Sequence, residues 1–320
     1  MFPQMGNKAP TLYHFPQLFD GDCFYDILSR FYAHSWHLSG RACSLELFGS
    51  TPNLLPSVTL PYRAELICHW LGNESKISPK LVRDRHSAWQ YLQLGGWFRD
   101  DDLQPIMSAH PKPGRRKLQS MLLFLQRGLT HLRYCPACII ENRLRGNEIY
   151  WRQVHQLYGV KYCPIHGLPL LNSSVRLGKQ LRRYIPAQIV FKNTLSEDLL
   201  VQAIAFNPES DRFYEAFFGL SKTILWLLTH GLELGTCKSL CLRYNHALGL
   251  APGATPEGKL LRSQLLQIGG EEFLRQLYPG NEYESLLNIV DKGIEMFTPL
   301  EHALLITSLG CNSVLSDYGT

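Results

Sequence analysis

The chain contains no run of about 18 apolar residues, so nothing in it reads as a membrane-spanning helix. Its opening, MFPQMGNKAPTLYHFPQLF, lacks the basic stretch and apolar core of a secretory signal. A complete G-x-x-x-x-G-K-[ST] loop is also missing. Gly253, Gly258 and Lys259 carry the spacing of its first part, but Leu260 stands where the loop needs a Ser or Thr hydroxyl, which argues against the phosphate cradle of a nucleotide hydrolase. No H-E-x-x-H occurs, and the acidic residues are spread without a triad suited to metal-assisted hydrolysis. Cysteine is odd in number, at nine, and five of the nine stand far from any partner motif, which argues against a disulfide framework and for a reducing, cytoplasmic setting. These absences lead to the expectation that the protein is not an enzyme.

What is present is ordinary globular sequence. With 320 residues, 45% hydrophobic and 18% charged, the chain can bury a core and divide into two or three domains. A net charge of +5 permits contact with nucleic acid without requiring it. The pattern predicts a mainly α protein in three parts: an N-terminal helical, helix-turn-helix-like cluster over 1–127, a zinc-ribbon-like module with short β-hairpins over 128–185, and a C-terminal helical bundle over 186–320. In the first part Phe24, Ile27, Leu28 and Phe31 recur at helical steps, with Asp22 placed to cap. In the third, LSEDLLVQAIAFN, RFYEAFFGLSKTILWLLTHG, GKLLRSQLLQIGGEEFLRQLY and TPLEHALLITSLG carry the same period.

The chemistry concentrates in CPAC at 135–138 and CPIH at 163–166, two knuckles with the same internal spacing. Two residues between ligands let one tight turn aim both side chains at one ion. Three thiolates and an imidazole fill a tetrahedral zinc shell, so Cys135, Cys138, Cys163 and His166 are expected to hold one structural Zn2+ with no open position for water. Pro136 and Pro164 restrict the turns, and Gly167 lets the chain leave the second knuckle. His230, Cys237, Cys241 and His246 form a weaker grouping. Cys237 and Cys241 fall one turn apart on a helix whose Leu240, Cys241 and Leu248 face a core, so no second zinc is expected there. Cys23, Cys43, Cys68 and Cys311 read as buried or isolated thiols. Three basic patches can reach phosphates: Arg115, Arg116 and Lys117; Arg143 and Arg145; and Arg176, Lys179, Arg182 and Arg183, the last ending at Tyr184, a ring suited to stacking.

The segment LRYCPACIIENRLRGNEIYWRQVHQLYGVKYCPIHGLPL resembles the zinc segment of the TniQ family, which includes the TnsD-type proteins of Tn7-like transposons. The family joins an R-x-CPxC knuckle, a W-R-x-x-H-Q-L-x-G-V stretch and a CPxHG knuckle. Here these stand at Arg133 to Cys138, Trp151 to Val160 and Cys163 to Gly167, and only Tyr158 departs, where proline is usual. FDGDCFYDILSRFYAHSWHLSG followed by LFG resembles the family's opening helix, although glutamate is more usual at Asp22. YNHALGLAPGATPEGKL, IGGEEFLRQLY and TPLEHALLI are similar to the second region of TnsD-type members.

This resemblance implies a target-site selection adaptor in Tn7-like transposition. It would bring the AAA+ regulator TnsC either to attachment-site DNA or to an RNA-guided, CRISPR-associated Cascade complex, with no membrane partner. It also points to the N-terminal cluster, with Phe24, Tyr25, Arg30 and Phe31, as forming or supporting the surface that docks on TnsC. TnsD-type members commonly carry further helix-turn-helix material after the point where this chain stops. The competing readings are an autonomous zinc-ribbon or helix-turn-helix DNA-binding regulator and a metal-dependent nuclease.

Overall fold

The computed structural model describes residues 15–48, 57–72, 76–108, 121–122, 124–235, 237–251, 253–310 and 314. The chain packs as two compact units. One comprises Met1–Trp89, Asp100–Tyr158 and Leu168–Phe206; the other comprises Gln90–Arg99, Gly159–Gly167 and Asn207–Thr320.

The first unit opens with α1 (Phe24–His34), α2 (Gly40–Phe48), α3 (Ala64–Leu71), α4 (Pro79–Arg85), the first residue of α5 (Trp89–Leu92), whose remaining residues count with the second unit, and α6 (Asp100–Met107). The periodic residues of α1 are buried as their spacing predicts. Its start differs from the expectation: Cys23 occupies the cap position and no side chain caps the helix. Asp22 is instead committed elsewhere, accepting the Phe19 N–H at 3.1 Å and the Arg30 guanidinium at 2.5 Å. A carboxylate paired with a buried cation gains more there than from one terminal N–H. α4 shows the conventional start, with Ser78 accepting from the Leu81 N–H at 3.1 Å and Pro79 in the first turn.

The remainder of this unit is β1 (His131–Tyr134), α7 (Pro136–Leu144), β2 (Leu171–Arg176), α8 (Ala187–Val190) and α9 (Ser196–Ile204). In place of separate short hairpins, β1 and β2 form one antiparallel pair, with Arg133 opposite Asn172, Tyr134 opposite Leu171, and an irregularity between His131 and Arg133. β1 leads into the first knuckle, and β2 follows shortly after the second. α9 packs along α7.

The second unit is helical: α10 (Tyr214–His230), α11 (Cys237–Ala247), α12 (Gly258–Leu266), α13 (Gly270–Leu277), α14 (Glu282–Lys292) and α15 (Pro299–Leu309). The periodic stretch GKLLRSQLLQIGGEEFLRQLY breaks into α12 and α13 at Gly269 and Gly270, where Gly270 takes φ +77°. α15 is buried on all sides from Pro299 to Ile306 and packs against α10 and α12, so it is the central helix. A capping box between Thr298 and Glu301 fixes its start. Among the described residues, no helix is long and apolar enough to cross a membrane.

His302 on α15 is fully buried, bonded through Nδ1 to the Tyr244 hydroxyl at 3.0 Å. Burial lowers its pKa from 6.5 to about 3. Between those values an unfolded chain binds a proton that the folded one refuses. The stability contributed by neutral His302 is therefore complete above pH 6.5 and lost as pH falls toward 3. At pH 5 the loss is about 2 kcal/mol. Urea unfolding of the wild type and His302→Gln between pH 7 and 4 checks this: the variant should lose about one proton's worth of pH slope. Parallel slopes would refute it.

Candidate metal centre

Each knuckle is built by its local sequence. β1 delivers Cys135 in extended conformation (φ −110°, ψ 126°), and Pro136 begins α7 at a position where its missing N–H costs nothing. This places Cys138 in the first turn of α7, folded back toward Cys135. In the second knuckle the Gly167 N–H closes the turn on the Cys163 carbonyl at 2.8 Å, with φ +68°. A Cβ at Gly167 would lie 2.4 Å from the Tyr214 hydroxyl oxygen, so both backbone sign and space demand glycine. The approach to Cys163 is anchored by Lys161, whose Nζ lies 2.6 Å from the Asp211 carboxylate, and by the Tyr162 hydroxyl, which donates to the same group.

The ligand atoms of Cys135, Cys138, Cys163 and His166 all lie within 4.8 Å of one another; the three cysteines are buried and the histidine half-buried. Zn–S bonds of 2.3 Å in a tetrahedron set sulfurs about 3.8 Å apart, and a sulfur and an imidazole nitrogen about 3.6 Å apart. The Cys163 Sγ and His166 Nδ1 are 3.6 Å apart. Donor type, number and spacing therefore fit a tetrahedral metal ion. Such an ion would have four protein ligands and no position left for water or substrate, so it would serve to hold shape.

The stretch between the knuckles contributes scaffold. Trp151 is buried; its N–H donates to Asp26 at 3.0 Å and its indole to the Ile185 carbonyl at 2.9 Å. Arg152 bridges to Asp22, tying this stretch to the start of α1. The Arg133 guanidinium donates to the Leu157 carbonyl at 2.7 Å. Beneath lies a buried ion network: Arg30 reaches Asp22, Asp26 at 2.7 Å and Glu148 at 3.3 Å, while His86 contacts Asp22 at 2.5 Å. Sequence reasoning missed this network, although its signal was present. Asp26 and Arg30 stand one turn apart on the apolar side of α1, where solvated charges do not belong, and Asp22 lies four residues before Asp26, just ahead of the helix.

The residues read as partner contacts are interior. Phe24, Tyr25, Arg30 and Phe31 are 2%, 1%, 1% and 6% exposed, so they can support a docking surface but present little of one. Among the basic residues, Arg143 is engaged within the unit, donating to the Phe191 carbonyl at 2.7 Å and to Ser196 at 3.1 Å. Arg145 is exposed and pairs with Glu141. Arg176, Arg182 and Arg183 are exposed, and Lys179 opens the 3-10 turn Lys179–Arg183. Tyr184 is not a stacking ring: it is 1% exposed, lies against Tyr25 and bonds Ser44 at 3.2 Å. Arg115, Arg116, Lys117 and Cys311 lie outside the described residues. Cys23, Cys43 and Cys68 are buried thiols. Cys237 and Cys241 sit half-buried on α11 beside a cleft of about 870 Å³, Leu248 is half-buried, and His230 stacks on Trp226.

Residues 14–170 match the family model of TniQ. Over 155 residues, 48% of this chain, the sequence is 20% identical to the Tn7 transposition protein TnsD of Escherichia coli, and the match covers 30% of that protein. The similarity noted in the C-terminal segments falls beyond the stretch that the family model matches. That stretch runs from α1 through both knuckles, the residues that build the four-donor cluster and its buried support, and the chain belongs to the TniQ family.

Proposed function

We propose that this protein is a target-selection adaptor of Tn7-like transposition, which recruits the AAA+ regulator TnsC to target DNA. The observation that carries the reading is the TniQ match over 14–170, whose only preformed group of metal-ligating side chains among the described residues is a completed four-donor set. A filled ligand shell suits a platform better than a reaction centre, so its role is recruitment rather than catalysis, in the cytoplasm. The resident ion is Zn2+.

The docking surface lies at the end of α1, held in place from beneath by Phe24, Tyr25, Arg30 and Phe31. There Trp36 and Leu38 are each 99% exposed, and a large aromatic beside an aliphatic residue is the kind of anchor that dominates protein interfaces. Arg182 and Arg183, with Arg145, face solvent and supply the phosphate contacts. The same adaptor role is served whether the site is marked by an attachment sequence or by an RNA-guided Cascade complex, and the choice between them is made by a further partner.

Reconstitution tests this directly. The full chain, a TnsC-type ATPase, ATP and target DNA should form a complex in which the ATPase is retained on DNA, and Trp36→Ala should weaken it at least tenfold while leaving the fold intact. Failure to associate with the ATPase would overturn the adaptor reading. Tight, site-specific DNA binding without any partner would point to an autonomous regulator instead, and cleavage of DNA on addition of magnesium to a nuclease.

A further inference from the structure

We propose that Gln156 is a positioning residue for the metal centre: its side-chain amide stands in for a β-strand beside β1 and so sets where Cys135 and Cys138 stand. Its Oε1 accepts the Arg133 N–H at 2.9 Å and its Nε2 donates to the Arg133 carbonyl at 2.8 Å. One planar amide thus meets both hydrogen-bonding groups of one residue, the pair of bonds that an antiparallel neighbour exchanges. The need is local. β1 pairs with β2 on one side only, and that pairing is irregular between His131 and Arg133. Arg133 lies two residues before Cys135, so a shift of its peptide is passed to the first ligand.

The clamp is itself held. Gln156 is 1% exposed, its Nε2 also donates to the Arg152 carbonyl at 3.2 Å, and its own N–H is bonded to the Gln153 carbonyl at 2.9 Å. Arg133 returns the contact through its guanidinium to the carbonyl of Leu157, the next residue. A primary amide offers an acceptor and a donor in one plane at the spacing that one residue's N–H and carbonyl require. Glutamate would set a second acceptor against the Arg133 carbonyl, and methionine would fill the space without either bond. Groups that orient metal ligands from behind typically change metal affinity 10–100-fold when removed.

The test compares wild type, Gln156→Glu, Gln156→Met and Val82→Ala, the last a truncation of a fully buried side chain on α4. Affinity for Co2+ and Zn2+ is measured against a chromophoric chelator, and the visible bands of the Co2+ form report ligand geometry. Both Gln156 variants should lose about tenfold or more in affinity and show altered Co2+ bands, whereas Val82→Ala keeps wild-type values. Losses below about twofold, or equal losses in Val82→Ala at matched thermal stability, would overturn the proposal, as would a wild-type chain that takes up no metal. A second measurement uses the metal-loaded protein. The Arg133 amide, bonded to the Gln156 Oε1 at 2.9 Å, should exchange with deuterium faster in Gln156→Met than in wild type; equal protection in the two would mean that Gln156 does not hold the strand, and the inference would be wrong.

Discussion

Cys138→Ser should leave the protein without stoichiometric zinc and without a cooperative unfolding transition in the unit that carries α1 and the first knuckle. Apparent free energies of structural zinc binding run to roughly 10–16 kcal/mol at neutral pH, as large as the net stability of a whole domain, about 5–15 kcal/mol. Serine keeps the volume of cysteine but supplies no thiolate, so the change removes a ligand and leaves the other two buried cysteines and His166 facing one another without the ion. Zinc content by atomic emission and urea unfolding followed by far-UV circular dichroism give the readout. Chelation of the wild type should produce the same loss, reversed by adding zinc. Far less than one zinc per wild-type chain, or a variant that unfolds at the wild-type midpoint, would remove the structural-metal reading.

The reason this centre could be read from sequence is that its information is local. Two ligands separated by two residues need only one turn, and the proline that restricts each turn and the glycine that ends the second are neighbours of the ligands. The helical period of α1, α10 and α15 is local in the same way. What sequence did not reveal depends on partners distant in the chain. Asp22 has the residue type and position of a cap, yet its carboxylate goes to Arg30 and His86. The aromatic residues of α1 suit a docking face and a core equally well, and burial alone distinguishes them. Tyr184 ends a basic run, but packing against Tyr25 takes its ring out of solvent. The strand flanking the first knuckle pairs with a strand beyond the second, a register that no short-range pattern encodes.

Arg30→Met should destabilise the same unit by about 3–5 kcal/mol, the usual consequence of stripping the cation from a buried pair. Arg30 is 1% exposed and holds two fully buried carboxylates, Asp22 and Asp26, together with the Gln17 carbonyl at 2.6 Å. Methionine nearly matches its aliphatic length, so the loss is one of charge and hydrogen bonds more than volume. Burial already raises the Asp26 pKa from 3.8 to about 7, outweighing the attraction of Arg30 that lowers it. Removing Arg30 raises it further. A carboxyl whose folded pKa lies above its unfolded value contributes stability that is complete below the unfolded value and is lost as pH rises through the folded one. The deficit of Arg30→Met should therefore be largest near pH 8 and shrink toward pH 4, and adding Asp26→Asn should recover part of it at pH 8 but little at pH 4. Urea titrations of the two variants at both pH values decide the matter, and a deficit under about 1 kcal/mol, or one independent of pH, would refute it. The functional consequence follows from position. Asp26 also receives the Trp151 N–H, so the network that seats α1, and with it Trp36 and Leu38 at its end, is continuous with the stretch between the two knuckles. In ATPase recruitment, Arg30→Met should thus resemble Trp36→Ala at pH 8 and approach wild type as the pH is lowered, although residue 30 never reaches the surface.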